Sequence, residues 1–161
     1  RNPGKLVERL AKLVGADLDT WVTVVDADGG APFPCPATVR TILTCYLDIT
    51  GAPKMGALAK LAELAGGKED REILNQMSRR EGYALHDTFV VRARRGVADV
   101  IGEFTSLRVS LAELCELCPR LQPRYYSVSS ASATHPESLH VTCAVVREPA
   151  ARPGGGPSRG H

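Results

Sequence analysis

The chemistry open to this chain rests on five cysteines, four histidines and one arginine–tyrosine run. Cys115-Glu116-Leu117-Cys118 has the C-x-x-C spacing that serves thiol exchange or half of a zinc site. No second ligand pair of suitable spacing accompanies it. Both cysteines also continue the apolar stripe of Leu111 and Leu114, so packing in a core is their expected role. His86, His135, His140 and His161 are scattered, and spacing pairs none of them with a nucleophile. Gly154-Gly155-Gly156 has neither the strand–turn–helix context of a dinucleotide fingerprint nor a following phosphate-binding lysine. No metal site is expected.

Arg124-Tyr125-Tyr126-Ser127 invites a second reading. Side chains alternate along a strand, so Arg124 and Tyr126 share one side while Tyr125 and Ser127 share the other. A guanidinium grips a diphosphate with two prongs, and a phenol ring stacks on a flat heterocycle. The pair therefore suits a ligand with a ring system and a pyrophosphate, a shape that FAD has. On these residues alone, an ordinary amphipathic strand remains the simpler account. Arg94-Arg95 reads in the same way as a solvated helix face.

The elements that must position these residues come from periodicity. Leu6, Leu10 and Leu13, widened by Val7 and Val14, predict a short amphipathic helix ending at Gly15. Residues 21–25 (WVTVV) predict a strand, followed by the turn-rich DADGGAPFPCP. Val39, Ile42, Leu43, Tyr46 and Leu47 then take helical spacing, with Pro36 placed for a first turn. Met55, Leu58, Leu61 and Leu64 predict the next helix, which breaks at Gly66-Gly67. KEDREILNQMSRR runs from acidic to basic, as the helix dipole favours. Leu85, Phe89, Ala93, Val97, Val100 and Ile101 predict a longer helix, and SLAELCELC a short one closed by Pro119. RYYSVSS and LHVTCAVV then read as strands.

The expected architecture is α+β: β elements interrupted by an all-helical block. Its segments are 1–36, 37–118 and 119–161. With 43% apolar residues and a formal charge of +2, the chain is ordinary for a globular protein. It offers no electrostatic case for nucleic acid or an anionic membrane, and no apolar run of bilayer length. Scattered cysteines in odd number favour a reducing, cytoplasmic setting. An initial Arg1 in place of methionine and the loop-like PAARPGGGPSRGH suggest an excerpt of something longer.

At this point a resemblance adds to the residues. RYYSVSSAS, preceded by LCELCPRLQP, resembles the FAD-binding signature of the NADPH-dependent diflavin reductases. PFPCPATVRTILTCYLDIT, VVRARRGVADVIGEFTSL and HPESLHVTCAVV resemble further segments of that family, in the same order. Likeness is strongest to the type that reduces haem proteins such as cytochrome P-450. The reductase portion of nitric oxide synthase and methionine synthase reductase remain alternatives within the family. A non-catalytic helical interaction module remains one outside it.

The resemblance implies an antiparallel FAD-binding β-barrel of the ferredoxin–NADP reductase kind, with a helical connecting domain inserted in it. An FMN domain and an NADPH domain of the same protein would be its partners, with a haem-protein acceptor beyond. Electrons would pass from NADPH through FAD to FMN, a relay that these residues are not expected to run alone. The setting implied is the cytosolic face of the endoplasmic reticulum. By position, Arg124 would clamp the pyrophosphate, with Tyr125 beside it. Tyr126 would stack on the flavin ring, and Ser127 would sit near the hydride-accepting nitrogen in a catalytic role. Thr142, Cys143 and Ala144 would line the flavin, and Arg94 would approach it. Glu148 stands where the family has a tyrosine able to stack on adenine.

Overall fold

The computed structural model describes residues 1–26 and 28–144. Val145, Val146 and Glu148, the triple glycine and His161 lie outside the described residues. The described residues fall into two compact units, Arg1–Leu121 and 122–144.

The first unit is mostly helical. Helix α1 (Gly4–Leu13) buries Val7, Leu10 and Ala11 and leaves Leu13 exposed at its last position. A minimal antiparallel sheet follows, with β1 (Trp21–Val22) paired to β2 (Ala37–Thr38). Thr38 then caps α2 (Val39–Thr41), its hydroxyl accepting from the Thr41 N–H at 3.2 Å. The helix therefore starts three residues later than Pro36 predicts. It widens at once into a π-helical stretch, Ile42–Tyr46.

Asn2 holds the carbonyl end of that stretch. Its side-chain amide donates to Leu43 O at 2.7 Å and Leu47 O at 2.6 Å. Its backbone N–H donates to Thr44 O at 2.9 Å. A helix end leaves carbonyls without intrahelical partners, and a residue more than forty positions away supplies donors for them. Asn2 is itself buried.

Helices α3 (Met55–Glu63) and α4 (Lys68–Ser78) pack against each other across the Gly66-Gly67 turn. Leu58, Leu61, Leu74 and Met77 are fully buried in one core cluster. Burial of each such side chain stabilises by about 1.5–3 kcal/mol. Asp70, in the first turn of α4, accepts from the Ser106 N–H at 3.0 Å. A 3₁₀ turn (Arg80–Gly82) leads into α5 (Tyr83–His86) and a second π-helical stretch, Asp87–Arg92.

The single long helix expected over 85–101 is broken. The Arg94 N–H donates to Val91 O and the Arg95 N–H to Val90 O, at 3.1 and 2.9 Å. These bonds form a Schellman turn with Arg94 as its left-handed residue, φ +51°. Gly96 follows, where a side chain would press on the carbonyls of Ile49 and Thr50. The chain restarts as α6 (Val97–Glu103). Helix α7 (Leu111–Leu117) opens with a capping box between Ser110 and Glu113 and buries Leu114.

No helix among the described residues is long and apolar enough to cross a membrane. The observed class is mixed, helices with a small antiparallel sheet.

Candidate functional site

The second unit carries most of the residues singled out by the sequence. It is a ribbon in which Val128 bridges Val141 in antiparallel sense. The Ser129 N–H donates to His140 O at 2.8 Å, so Val128 and Val141 form a pair without mutual backbone bonds, the closer kind. That register sets Ser127 across from Thr142 and Tyr126 across from Cys143.

Alternation then sorts the side chains. One face carries Ser127, Ser129, His140 and Thr142, and Thr142 Oγ1 donates to Ser129 Oγ at 3.2 Å along it. The other carries Tyr126, Val128, Val141 and Cys143. The two expected strands are thus present as one bridge with its flanking bonds.

Arg124, Tyr125, Tyr126 and Ser127 are all exposed, as are Thr142, Cys143 and Ala144. Tyr125 is 91% exposed and Tyr126 only 56%, so the two rings sit in different surroundings. Cys143 is a free, exposed thiol. The connection between the paired segments is a compact loop. The His135 and His140 rings meet at a tilt of 46° with centroids 4.4 Å apart, and His140 Nε2 lies 3.2 Å from Ser138 Oγ.

Arg94 belongs to the first unit. It is exposed, at the left-handed position of the turn before α6. Its neighbour Arg95 turns inward, its guanidinium 4.0 Å over the Phe89 ring and donating to Phe89 O at 2.9 Å. The sequence presents these arginines as one basic pair. The structure gives Arg95 a packing role and leaves Arg94 at the surface.

The C-x-x-C cysteines lie in the core cluster, Cys118 buried and Cys115 half-buried. Loss of solvent pushes the Cys118 thiol up to about 12 and the Cys115 thiol up to about 11. Neither is a thiolate near neutral pH, so neither is poised for exchange. No group of three or more His, Cys, Asp or Glu among the described residues could hold a metal.

The family model described as FAD binding domain matches residues 1–160. The chain belongs to this FAD-binding domain family. NADPH–cytochrome P450 reductase of Cavia porcellus is 46% identical over 153 residues, covering 91% of this chain and 22% of that protein. The Homo sapiens protein of the same name is 44% identical with the same coverage. That of Salmo trutta is 42% identical over 149 residues, covering 89% of this chain and 25% of that protein. The chain therefore spans a quarter or less of the curated relatives it matches. Over that span, the resemblance to the diflavin reductases read from the sequence holds.

Sequence reasoning placed the signature of this FAD-binding domain but missed what fixes it. Ser129, Ser130 and His140 tie the ribbon together, with the His140 N–H donating to Ser130 Oγ at 3.1 Å. The serine-rich run after Tyr126 was the available signal.

Proposed function

We propose that this chain is the FAD-holding segment of an NADPH-dependent diflavin reductase. The observation that carries the reading is the Val128–Val141 bridge, whose register sets Ser127 across from Thr142 and Tyr126 across from Cys143. The donor set fits the cofactor. Arg124 has no ion pair or hydrogen bond within the described residues, so its fork remains available for a pyrophosphate. Tyr126 keeps an accessible ring for stacking. Ser127 has an uncommitted hydroxyl.

FAD, when bound, supplies a ring that accepts a hydride and releases electrons singly. The chain's own part is to grip the phosphates with Arg124 and to orient the ring with Tyr126. Ser127 would offer a hydroxyl proton at the ring's hydride-accepting nitrogen. Tyr125 stands on the opposite side of the strand from Arg124 and Tyr126, and is read as a further FAD contact on the strength of its matched position. Thr142, Cys143 and Ala144 line the flavin from the facing strand. Arg94 is a further FAD contact on the strength of its matched position.

The ribbon and the β1–β2 pair are read as parts of the antiparallel barrel, and the helices from α2 to α7 as the connecting domain. An FMN domain and an NADPH domain are the intended partners, with a haem protein such as cytochrome P-450 as acceptor. The setting is cytoplasmic, facing the endoplasmic reticulum.

The experiment measures the FAD retained by the full-length protein, from released-flavin fluorescence, with folding checked by circular dichroism. Tyr126→Ala and Arg124→Ala are expected to lower FAD retention, whereas this segment in isolation is expected to bind FAD weakly or not at all. Unchanged FAD content in both folded variants overturns the reading.

A further inference from the structure

Three helix ends of the first unit meet around a cavity of about 530 Å³ that the FAD reading leaves unused. The segment entering α3, the first residue of α6 and the last turn of α7 wall it. Its lining is mostly apolar, from Pro53, Ala57, Val97, Leu117 and Pro119. Buried His86 donates from Nε2 to Pro53 O at 3.1 Å, which braces that wall. Such a size and character suit a small-molecule site, where a few polar groups orient an apolar ligand.

Four charged side chains border the cavity, Asp48, Lys54, Lys60 and Glu116, and three of them are engaged. Lys60 Nζ pairs with Glu116 Oε2 at 3.7 Å. Asp48 Oδ1 accepts from the N–H groups of Thr50 and Gly51 at 3.1 and 3.0 Å, and from Thr50 Oγ1 at 2.9 Å. The Lys54 ammonium makes no ion pair or hydrogen bond within the described residues. No acidic residue stands beside it in the first turn of α3. The cavity is thus an apolar space with one cation left to answer.

We propose that this cavity binds a small apolar monocarboxylate, its hydrocarbon body against Pro53, Val97 and Leu117 and its carboxylate on Lys54. A dianion finds no second cation there, because Lys60 is held by Glu116. A cationic amphiphile meets Lys54 as a like charge. A neutral alcohol of the same length keeps the apolar contact and nothing more. The proposal stands apart from the FAD reading, since none of its residues belongs to the flavin set.

The test follows binding of octanoate and of 1-octanol by saturation-transfer NMR, with folding checked by circular dichroism. It uses the full-length protein as wild type, Lys54→Met and Gly56→Leu. Wild type is expected to bind octanoate saturably. Lys54→Met removes the charge and keeps an unbranched side chain. It is expected to weaken octanoate about three- to tenfold, the loss of one charge-assisted hydrogen bond near solvent, and to leave 1-octanol unchanged. Gly56 lines the cavity, and a Cβ there meets nothing within 4 Å, so leucine enters the space without displacing a neighbour. Leucine is also a better helix former than glycine, so Gly56→Leu is expected to fold and to lose both ligands. A folded wild type that binds no octanoate overturns the proposal. So does a Lys54→Met variant that binds octanoate as wild type does, or that weakens both ligands alike. Unchanged octanoate binding in folded Gly56→Leu overturns it as well.

Discussion

The guanidinium of Arg95 lies 4.0 Å above the Phe89 ring, and the same group donates to the Phe89 carbonyl. Phe89 in turn meets Phe104 edge-on, with centroids 5.8 Å apart. One arginine thereby ties the end of the second π-helical stretch to the core beneath α6. Removing it with Arg95→Ala gives up a cation–π contact and a charge-assisted hydrogen bond. Stability is expected to fall by about 1–2 kcal/mol, read from the urea midpoint. Arg95→Lys keeps the charge but loses the planar fork, and should recover only part.

Arg94 calls for a comparison that separates backbone from side chain. Arg94→Ala and Arg94→Gly both delete the guanidinium, but only glycine occupies φ +51° without a steric cost. The glycine variant is expected to be about 1 kcal/mol more stable than the alanine variant. Equal FAD loss in both, despite unequal stability, would assign the binding role to the side chain. Flavin titration alongside urea denaturation provides the two readouts.

The two bonds from the Asn2 amide reach buried carbonyls that no helical partner serves. Asn2→Ala leaves both unsatisfied and is expected to cost about 1–3 kcal/mol. Asn2→Asp replaces the donor with an acceptor facing the same carbonyls, so its loss should be larger. Amide exchange should rise over residues 42–47 in both variants.

Alkaline pH should weaken the first unit through its buried thiols. Cys118 and Cys115 are raised from an ordinary 9.0 to about 12 and about 11, chiefly by desolvation. Below about pH 9 both thiols are neutral, folded or unfolded, and their contribution is fully present. Above it the unfolded chain releases these protons while the folded chain retains them, so stability falls as pH rises towards 12. A Cys115→Ala, Cys118→Ala double variant should show a shallower decline over that window. An identical slope would count against the assignment.

How much of this was legible in advance differs from element to element. Helices α1, α3, α4 and α7 could be read because their apolar residues recur on one face and their ends carry clear stop signals. The break at Arg94–Gly96 could not. Apolar residues at 89, 93, 97 and 100 keep helical spacing across it, and a wider π turn shifts the facing without changing residue types. Pro36 misdirected the start of α2 because the cap is a hydroxyl, Thr38, two residues on. At the site, RYYS was legible as a motif. Its register was not, since that depends on hydrogen bonds from Ser129, Ser130 and His140 to residues ten or more positions away. Asn2 was invisible for the same reason, its partners lying more than forty residues along the chain.

The uneven exposure of the five thiols has a practical consequence. Cys35, Cys45 and Cys115 are half-buried, Cys118 is buried, and Cys143 alone is exposed. A bulky maleimide dye should therefore attach at Cys143 without removal of any other cysteine. Paired across the ribbon with Tyr126, that dye would turn the native chain into its own occupancy reporter. Its emission would respond to whatever settles on the tyrosine face.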